Sequence, residues 1–347
     1  MTRIKSMKLA DYDYHLPEEL IAQHPLQQRD ASRLMVINRS TRTLHHARFS
    51  QIGDFLPEDA LLVLNNTKVI AARLVGEKMP TGAQIEFLLL DQKERNIWEV
   101  LVKPGRRVAR GTRIVFGDGL LIGEILARTE SGSRIVKFKY DGDFYAILSK
   151  VGQVPLPPYI KRSLTRTDQE RYQCVFATAE GAIAAPTAGL HFTQDLLSQL
   201  KGRGIGSVTL TLHVGLGTFQ PVKVENIEAH KMHTEYFEIS QSTSKQINAA
   251  RKQMKKIVAV GTTSVRALET AASETVTPYR GYTDIFIYPG YQFKVVDALV
   301  TNFHLPKSTL LMLVSGFAGR EFIFEAYQEA IKHKYRFYSY GDAMLIL

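Results

Sequence analysis

The chain has one cysteine, Cys174, and one tryptophan among its 347 residues. A lone cysteine excludes an internal disulfide and every zinc or iron-sulfur site built from several thiolates, and it suits a reducing compartment, so the chain is read as cytoplasmic. Long apolar runs are missing too: no segment approaches the roughly 20 residues that cross a bilayer, and no membrane is expected as a partner. The opening MTRIKSMKLADYDYHLP is basic but has no apolar stretch of signal-peptide length. Met7 reads equally well as a start, with the six residues before it as an extension. Familiar nucleotide loops are also lacking. The turn GTTS has no Gly-Lys-Ser/Thr ending, and HVGLGTF lacks the third glycine of a dinucleotide fingerprint. No internal repeat or low-complexity tract appears.

What is present is ordinary globular material, 45% hydrophobic and 22% charged, in a chain longer than one core usually supports. With 44 Lys and Arg against 34 Asp and Glu, the formal charge is +10. Clustered cations gain affinity by displacing counterions from phosphates, so a polyanionic partner is expected, although charge alone does not require one.

Along the chain, SRLMVINRSTRTLHHARF reads as two short strands joined by a polar turn, and LLVLNNTKV as a buried strand ending in turn chemistry. Six closely spaced β-rich segments follow, from AARLVGEK to RIVKFKY, which predicts a small antiparallel barrel. The proline cluster VPLPPYI marks a linker. Beyond it come strand SVTLTLHV, helix SKQINAARKQMK, strand KIVAV, helix SVRALETAA, strands DIFIY and ALVTNF, and helix STLLMLVSGFAG. In the final amphipathic segment Phe322, Phe324 and Ile331 are assigned to packing. The fold class is therefore α/β: a complex α/β main domain, residues 1–66 and 152–347, with an inserted antiparallel β-barrel, residues 67–151.

In KIVAVGTTSVRALET a buried strand ends at Gly261 and a helix opens, leaving free N–H groups that favour an anion. Ser264 is the candidate cap. Arg266, in the first turn, opposes the helix dipole and is easier to understand if it pairs with a bound carboxylate or phosphate; a plain cap beside a solvated arginine is the simpler alternative. Five histidines, His191, His213, His230, His233 and His304, fall in segments rich in Gly, Pro, Thr or Asn, where loops carry function. Any one of them alone reads as a hydrogen-bonded structural residue; their grouping points to acid-base chemistry. His230 and His233 stand i and i+3, one face of a helix, but no carboxylate lies between them and no metal is expected. The run KPGRRVARGTR holds five cations and no anion, and PPYIKRSLTRTDQER adds more, so Arg106, Arg107, Arg110, Lys161 and Arg162 are candidate RNA contacts, with Tyr159 and Tyr172 placed to stack on bases. A solvated face is the alternative for both runs.

The blocks QRDASRLMVI, VLNNTKVIAARL, AAPTAGLHFT, LHVGLGTFQPV, HKMHTEYFEI, VGTTSVRALE, TNFHLPKSTLLMLVS and RFYSYGDAMLIL occur in an order that closely resembles the S-adenosylmethionine:tRNA ribosyltransferase-isomerase family of queuosine biosynthesis. The resemblance implies an α/β domain with an inserted barrel that transfers the ribosyl part of S-adenosylmethionine to a 7-aminomethyl-7-deazaguanine in the tRNA anticodon loop. It implies no cofactor, since S-adenosylmethionine is consumed as substrate. With that chemistry in view, His191, His213 and His304 are the candidate acids or bases, and Thr187, Thr262, Thr263, Ser264, Arg266, Asn302, His230 and His233 the candidate substrate contacts, in a chain expected to be monomeric. YQCVFA departs from the family pattern at Cys174 and Phe176, which argues against a catalytic role for that thiol. The competing readings are a non-catalytic RNA-binding protein and a metal-dependent hydrolase using His213, His230 and His233; a methyltransferase is disfavoured by the lack of a glycine-rich nucleoside loop.

Overall fold

The computed structural model describes residues 7–215, 217 and 222–347, so five residues of the block HVGLGTFQPV lie outside the described residues. Its largest element is a nine-stranded sheet ordered Tyr279–Thr283, Glu235–Ile239, Gly206–Leu212, Leu61–Asn65, Ile257–Val260, Ala298–Asn302, Ala343–Ile346, Arg33–Asn38 and Thr43–Arg48. The strands from Gly206 to Asn302 in this order run parallel, and both outer pairs are antiparallel. Parallel strands need both faces covered, and the central ones are apolar: all four residues of Ile257–Val260 are buried, whereas Gly206–Leu212 alternates buried apolar with more exposed polar positions. Helices Gln241–Lys252, Thr262–Ala271, Thr309–Ala318 and Arg320–Lys332 contribute to one core, which includes Leu268, Phe303 and Tyr327. Helix Gln194–Gly202 contributes to the other, with Phe49, Phe192 and Leu200. Each such side chain contributes about 1.5–3 kcal/mol through burial.

The six expected barrel strands form as read: Arg73–Lys78, Ala83–Glu94, Ile97–Lys103, Arg113–Phe116, Leu121–Arg128 and Arg134–Tyr140. Pairing of Glu77 with Val115 and Lys78 with Ile114 joins the first of them to the fourth and closes the ring. Alternation along each strand sends Leu74, Ile85, Phe87, Val100, Ile114 and Phe138 inward. Gly76 is required by this packing, because a Cβ there would lie 2.4 Å from the Phe116 ring. A parallel pairing of Thr67–Val69 with Ala179–Ala182 ties the start of the insertion to the main domain.

Two elements differ from the sequence reading. DIFIY is not a strand; the ladder is made by the preceding Tyr279–Thr283, paired with Glu235–Ile239, while Ile285 and Ile287 pack on the core without strand pairing. AMLI, by contrast, is an inner strand, Ala343–Ile346, between Ala298–Asn302 and Arg33–Asn38. Four residues carry too little periodicity to announce a strand whose partners lie far away in the chain. Among the described residues no helix is long and apolar enough to cross a membrane.

Candidate active site

The parallel strands end together, and the segments singled out in the sequence extend from those ends, where ligands of open α/β sheets commonly bind. Asn65 holds the ends in place. Its Nδ2 donates to the Leu212 carbonyl at 2.9 Å and to Thr263 Oγ1 at 3.2 Å, and its Oδ1 accepts from the N–H of Leu212 and of Thr67. Next to it the chain turns at Gly261, with φ of 90° and ψ of 149°, a conformation open to glycine. The helix then begins at Thr262, and its first N–H groups have no intrahelical acceptor.

A cleft of about 680 Å³ opens there, lined by Thr187, Thr262, Thr263, Asn302 and His304 together with Tyr159, Tyr338 and Ser339. Five of the expected substrate or catalytic residues are thus brought to one place. His304 is almost wholly buried and neutral; burial lowers its pKa to about 3. Its Nε2 lies 2.9 Å from Thr301 Oγ1, and its backbone is anchored by the hydroxyls of Tyr327 and Tyr14.

His191 is adjacent but behind the wall of this cleft. Its Nδ1 lies 2.7 Å from Ser32 Oγ, its Nε2 is 3.0 Å from Asn302 Nδ2, and Phe49 stacks on the ring at 5.0 Å. Burial, followed by the nearby Arg336 and Arg29 charges, lowers its pKa to about 3. Both ring nitrogens are hydrogen-bonded, one of them to Asn302, and the ring lies outside the lining of the first cleft.

A second cleft, of about 760 Å³, shares Leu310 with the first and is lined by Lys223, His230, His233, Glu235 and Arg266. Arg266 lies beyond the first turn, buried, and its Nη1 pairs with the buried Glu235 carboxylate, which also accepts from the Gly215 N–H at 2.8 Å. Sequence reasoning did not single out Glu235, since nothing local marks it as the partner of a residue 31 positions away. The Nε and Nη2 of Arg266 have no partner among the described residues. The anion expected for Arg266 is therefore in part the protein's own, with two donors still open.

Other expectations change. Ser264 does not cap the helix: Gly261 occupies that position, and the Ser264 hydroxyl is fully buried and bonded to the Val260 carbonyl at 2.8 Å. His230 and His233 do not share a helix face, because His230 ends a short turn at Ile227–Ala229 in extended geometry. Its pKa is lowered by burial and then by His233. His213 does not line either cleft. Its Nδ1 is 2.7 Å from Thr67 Oγ1, and its ring stacks on Tyr236 at 5.6 Å. Gly181, at φ of 146°, presses on the other side: a Cβ there would lie 2.8 Å from the imidazole.

Of the cationic candidates, Arg106, Arg107 and Arg110 are exposed on the barrel. Arg106 and Arg110 line an open depression of about 730 Å³ with Arg128 and Arg134. Arg134 itself is an internal brace, donating to the carbonyls of Gly132, Ser133 and Gly105. Lys161 is exposed and 3.3 Å from Glu18. Arg162 is largely committed internally, forked onto Asp168 with two bonds of 2.7 Å and donating to the Gln23 carbonyl. Burial would raise the pKa of Asp168, but Arg162, Thr165 and Tyr340 outweigh it and hold that carboxyl well below its ordinary range. Tyr172 is fully buried, so base stacking by that ring is withdrawn, whereas Tyr159 bonds Ser339 through its hydroxyl and lines the first cleft. Cys174 is buried, its thiol pushed up to about 12 by burial.

Fold and clefts together describe an α/β enzyme carrying an inserted barrel. The chain belongs to the queuosine biosynthesis protein family, whose pattern matches residues 9–346. It is 57% identical over 343 residues, covering 98% of this chain and all of the relative, to the S-adenosylmethionine:tRNA ribosyltransferase-isomerase of Halothermothrix orenii. It is 55% identical, with the same coverage, to the protein of that name from Acetivibrio thermocellus. The crystal structure of S-adenosylmethionine tRNA ribosyltransferase from Thermotoga maritima is similar with a TM-score of 0.56 and 43% identity, covering 97% of this chain and 100% of that one.

Proposed function

We propose that this chain transfers and isomerises the ribosyl moiety of S-adenosylmethionine onto the aminomethyl group of 7-aminomethyl-7-deazaguanine in tRNA, giving epoxyqueuosine-tRNA, adenine and methionine. The names of its full-length relatives support the tRNA and the sulfonium substrate. In this reading residues 67–151 form an inserted unit that contributes RNA contacts, and residues 1–66 and 152–347 carry the reaction.

The observation that carries the reading is the pairing of two anion-seeking features at adjoining clefts: the open helix end at Thr262 and Thr263, and the two unpartnered donors of buried Arg266. The methionine carboxylate fits such a receptor, and a tRNA phosphate is the other candidate. A sulfonium acidifies the protons on the adjoining ribose carbon. Removing one gives an ylide that expels adenine; the tRNA amine then attacks, and an epoxide closes with loss of methionine. This route calls for a base, a donor for departing adenine and exclusion of water. His304 is the candidate base by position, because of His191, His213 and His304 it is the one that lines this cleft. The burial that holds it neutral also weakens it as a base, so substrate must bring a compensating charge or hydrogen bond. Asn302, whose Oδ1 has no partner among the described residues, is placed to accept from a bound group.

The test is incubation with S-adenosylmethionine and tRNA bearing the aminomethyl base, followed by mass analysis of the nucleosides. Adenine and methionine are expected in equal amounts with the epoxide-bearing nucleoside; their absence from a folded sample removes the reaction. In the folded Arg266→Gln variant, a rise in KM for S-adenosylmethionine alone assigns the guanidinium to the carboxylate, and a rise for tRNA alone assigns it to phosphate.

A further inference from the structure

Away from both clefts, the end of helix Arg320–Lys332 meets the outermost strand of the large sheet, Thr43–Arg48. Three donor-bearing side chains gather there: His46 from the strand, Glu329 from the last turns of the helix, and His333 just beyond it. One ligand atom from each lies within 4.8 Å of the others. The Nε2 of His333 is 2.8 Å from Glu329 Oε1 and that of His46 is 3.7 Å from it. The two ring centroids are 4.6 Å apart.

We propose that His46, Glu329 and His333 bind a divalent transition-metal cation of the zinc class, with three protein ligands and a fourth position open to water.

Two imidazoles and a carboxylate are a donor set suited to such ions. Metal–donor bonds of about 2.0–2.2 Å in a tetrahedron put neighbouring donors roughly 3.3–3.5 Å apart. The two separations to the Glu329 oxygen, 2.8 and 3.7 Å, bracket that spacing, so small side-chain rotations suffice. Glu329 and His333 stand i and i+4 at a helix end, and so lie on one face. The His46 ring is held by a further contact, its Nδ1 being 2.8 Å from the Tyr335 hydroxyl, which leaves Nε2 turned toward the carboxylate. An outer partner of this kind on the second ring nitrogen is the usual companion of a metal-bound histidine. Both histidines are exposed, which leaves a path for the ion and for water. Positive groups border the place. Arg33 is paired with Asp342 at 3.0 Å and lies over the Tyr335 ring, Arg48 lines the same depression, and Lys332 is 3.8 Å from Glu329. These charges make the site weaker than a buried structural zinc centre. A bound ion would tie the free edge of the sheet to the C-terminal helix, a role independent of the reaction proposed above.

The experiment uses the full-length chain after chelator treatment, titrated with Zn²⁺ against a chromophoric competitor, with thermal unfolding followed in parallel. One equivalent is expected to bind and to raise the melting temperature, because a ligand selective for the folded state stabilises it. His46→Ala and His333→Ala should each abolish both effects while keeping a metal-free melting temperature near that of the parent. Tyr335→Phe should weaken binding by about 10- to 100-fold. Failure of the parent chain to bind an equivalent, or equal binding and equal stabilisation in the His46→Ala/His333→Ala double variant, overturns the proposal.

Discussion

Asn302 Nδ2 lies 3.0 Å from His191 Nε2 and 3.1 Å from the Tyr338 carbonyl, so one amide is clamped between a buried imidazole and the backbone. This arrangement puts the imidazole hydrogen on Nδ1, where Ser32 Oγ receives it at 2.7 Å. Asn302, and not His191, lines the cleft at the Thr262 helix end.

His191→Ala is therefore expected to act through Asn302. It should destabilise the fold by about 1–3 kcal/mol, the usual effect of leaving buried polar groups unpaired. Turnover should also fall, and the loss should be less than additive with that of Asn302→Ala. Kinetics of both single variants and the double variant decide the matter. Full additivity, or a kinetic pKa that disappears only in the His191 variant, would restore a direct role for the ring.

Stability should decline on mild acidification. Burial lowers the pKa of His191 and His304 to about 3, against about 6.5 for the unfolded chain. Because the folded values are the lower ones, the unfolded state takes up protons first. The stabilisation is complete above about pH 6.5 and is lost as pH falls toward 3, at about 1.4 kcal/mol per pH unit for each ring. Urea unfolding between about pH 7 and pH 4 measures this slope. His304→Asn should make it shallower, and an unchanged slope would mean that the ring titrates in the folded state as it does in the unfolded chain.

Replacing Arg106, Arg107 and Arg110 together by alanine should weaken tRNA binding and flatten its salt dependence, since each phosphate contact contributes to the slope of log affinity against log salt. All three are exposed on the barrel, so the melting temperature should hardly move. Binding isotherms at several salt concentrations provide the check; an unaltered slope takes this loop out of the RNA interface.

The barrel was legible because each strand declares itself by alternation over four or more residues, with the turns between them rich in glycine and serine. The turn after Val260 was legible for a similar local reason: a buried strand, a glycine and a helix start follow one another directly. The misread elements have the opposite character. DIFIY is apolar enough for a strand, but ladder pairing goes to its polar neighbour YRGYT, which stands in register with Glu235–Ile239. Ser264 suits a cap, yet the helix starts earlier and turns that hydroxyl toward Val260.

Local spacing by itself determined the class of each long element and the presence of the barrel, because periodicity and turn chemistry act over a few residues. Only the tertiary structure decided which side chains are free to act. It placed Glu235 on Arg266, Asp168 on Arg162 and Asn302 on His191, and turned His213 toward Thr67 and Tyr236. The physical reason is that burial and charge pairing depend on which distant segments meet, and a buried charge or imidazole takes whatever partner the packed fold brings within hydrogen-bond reach.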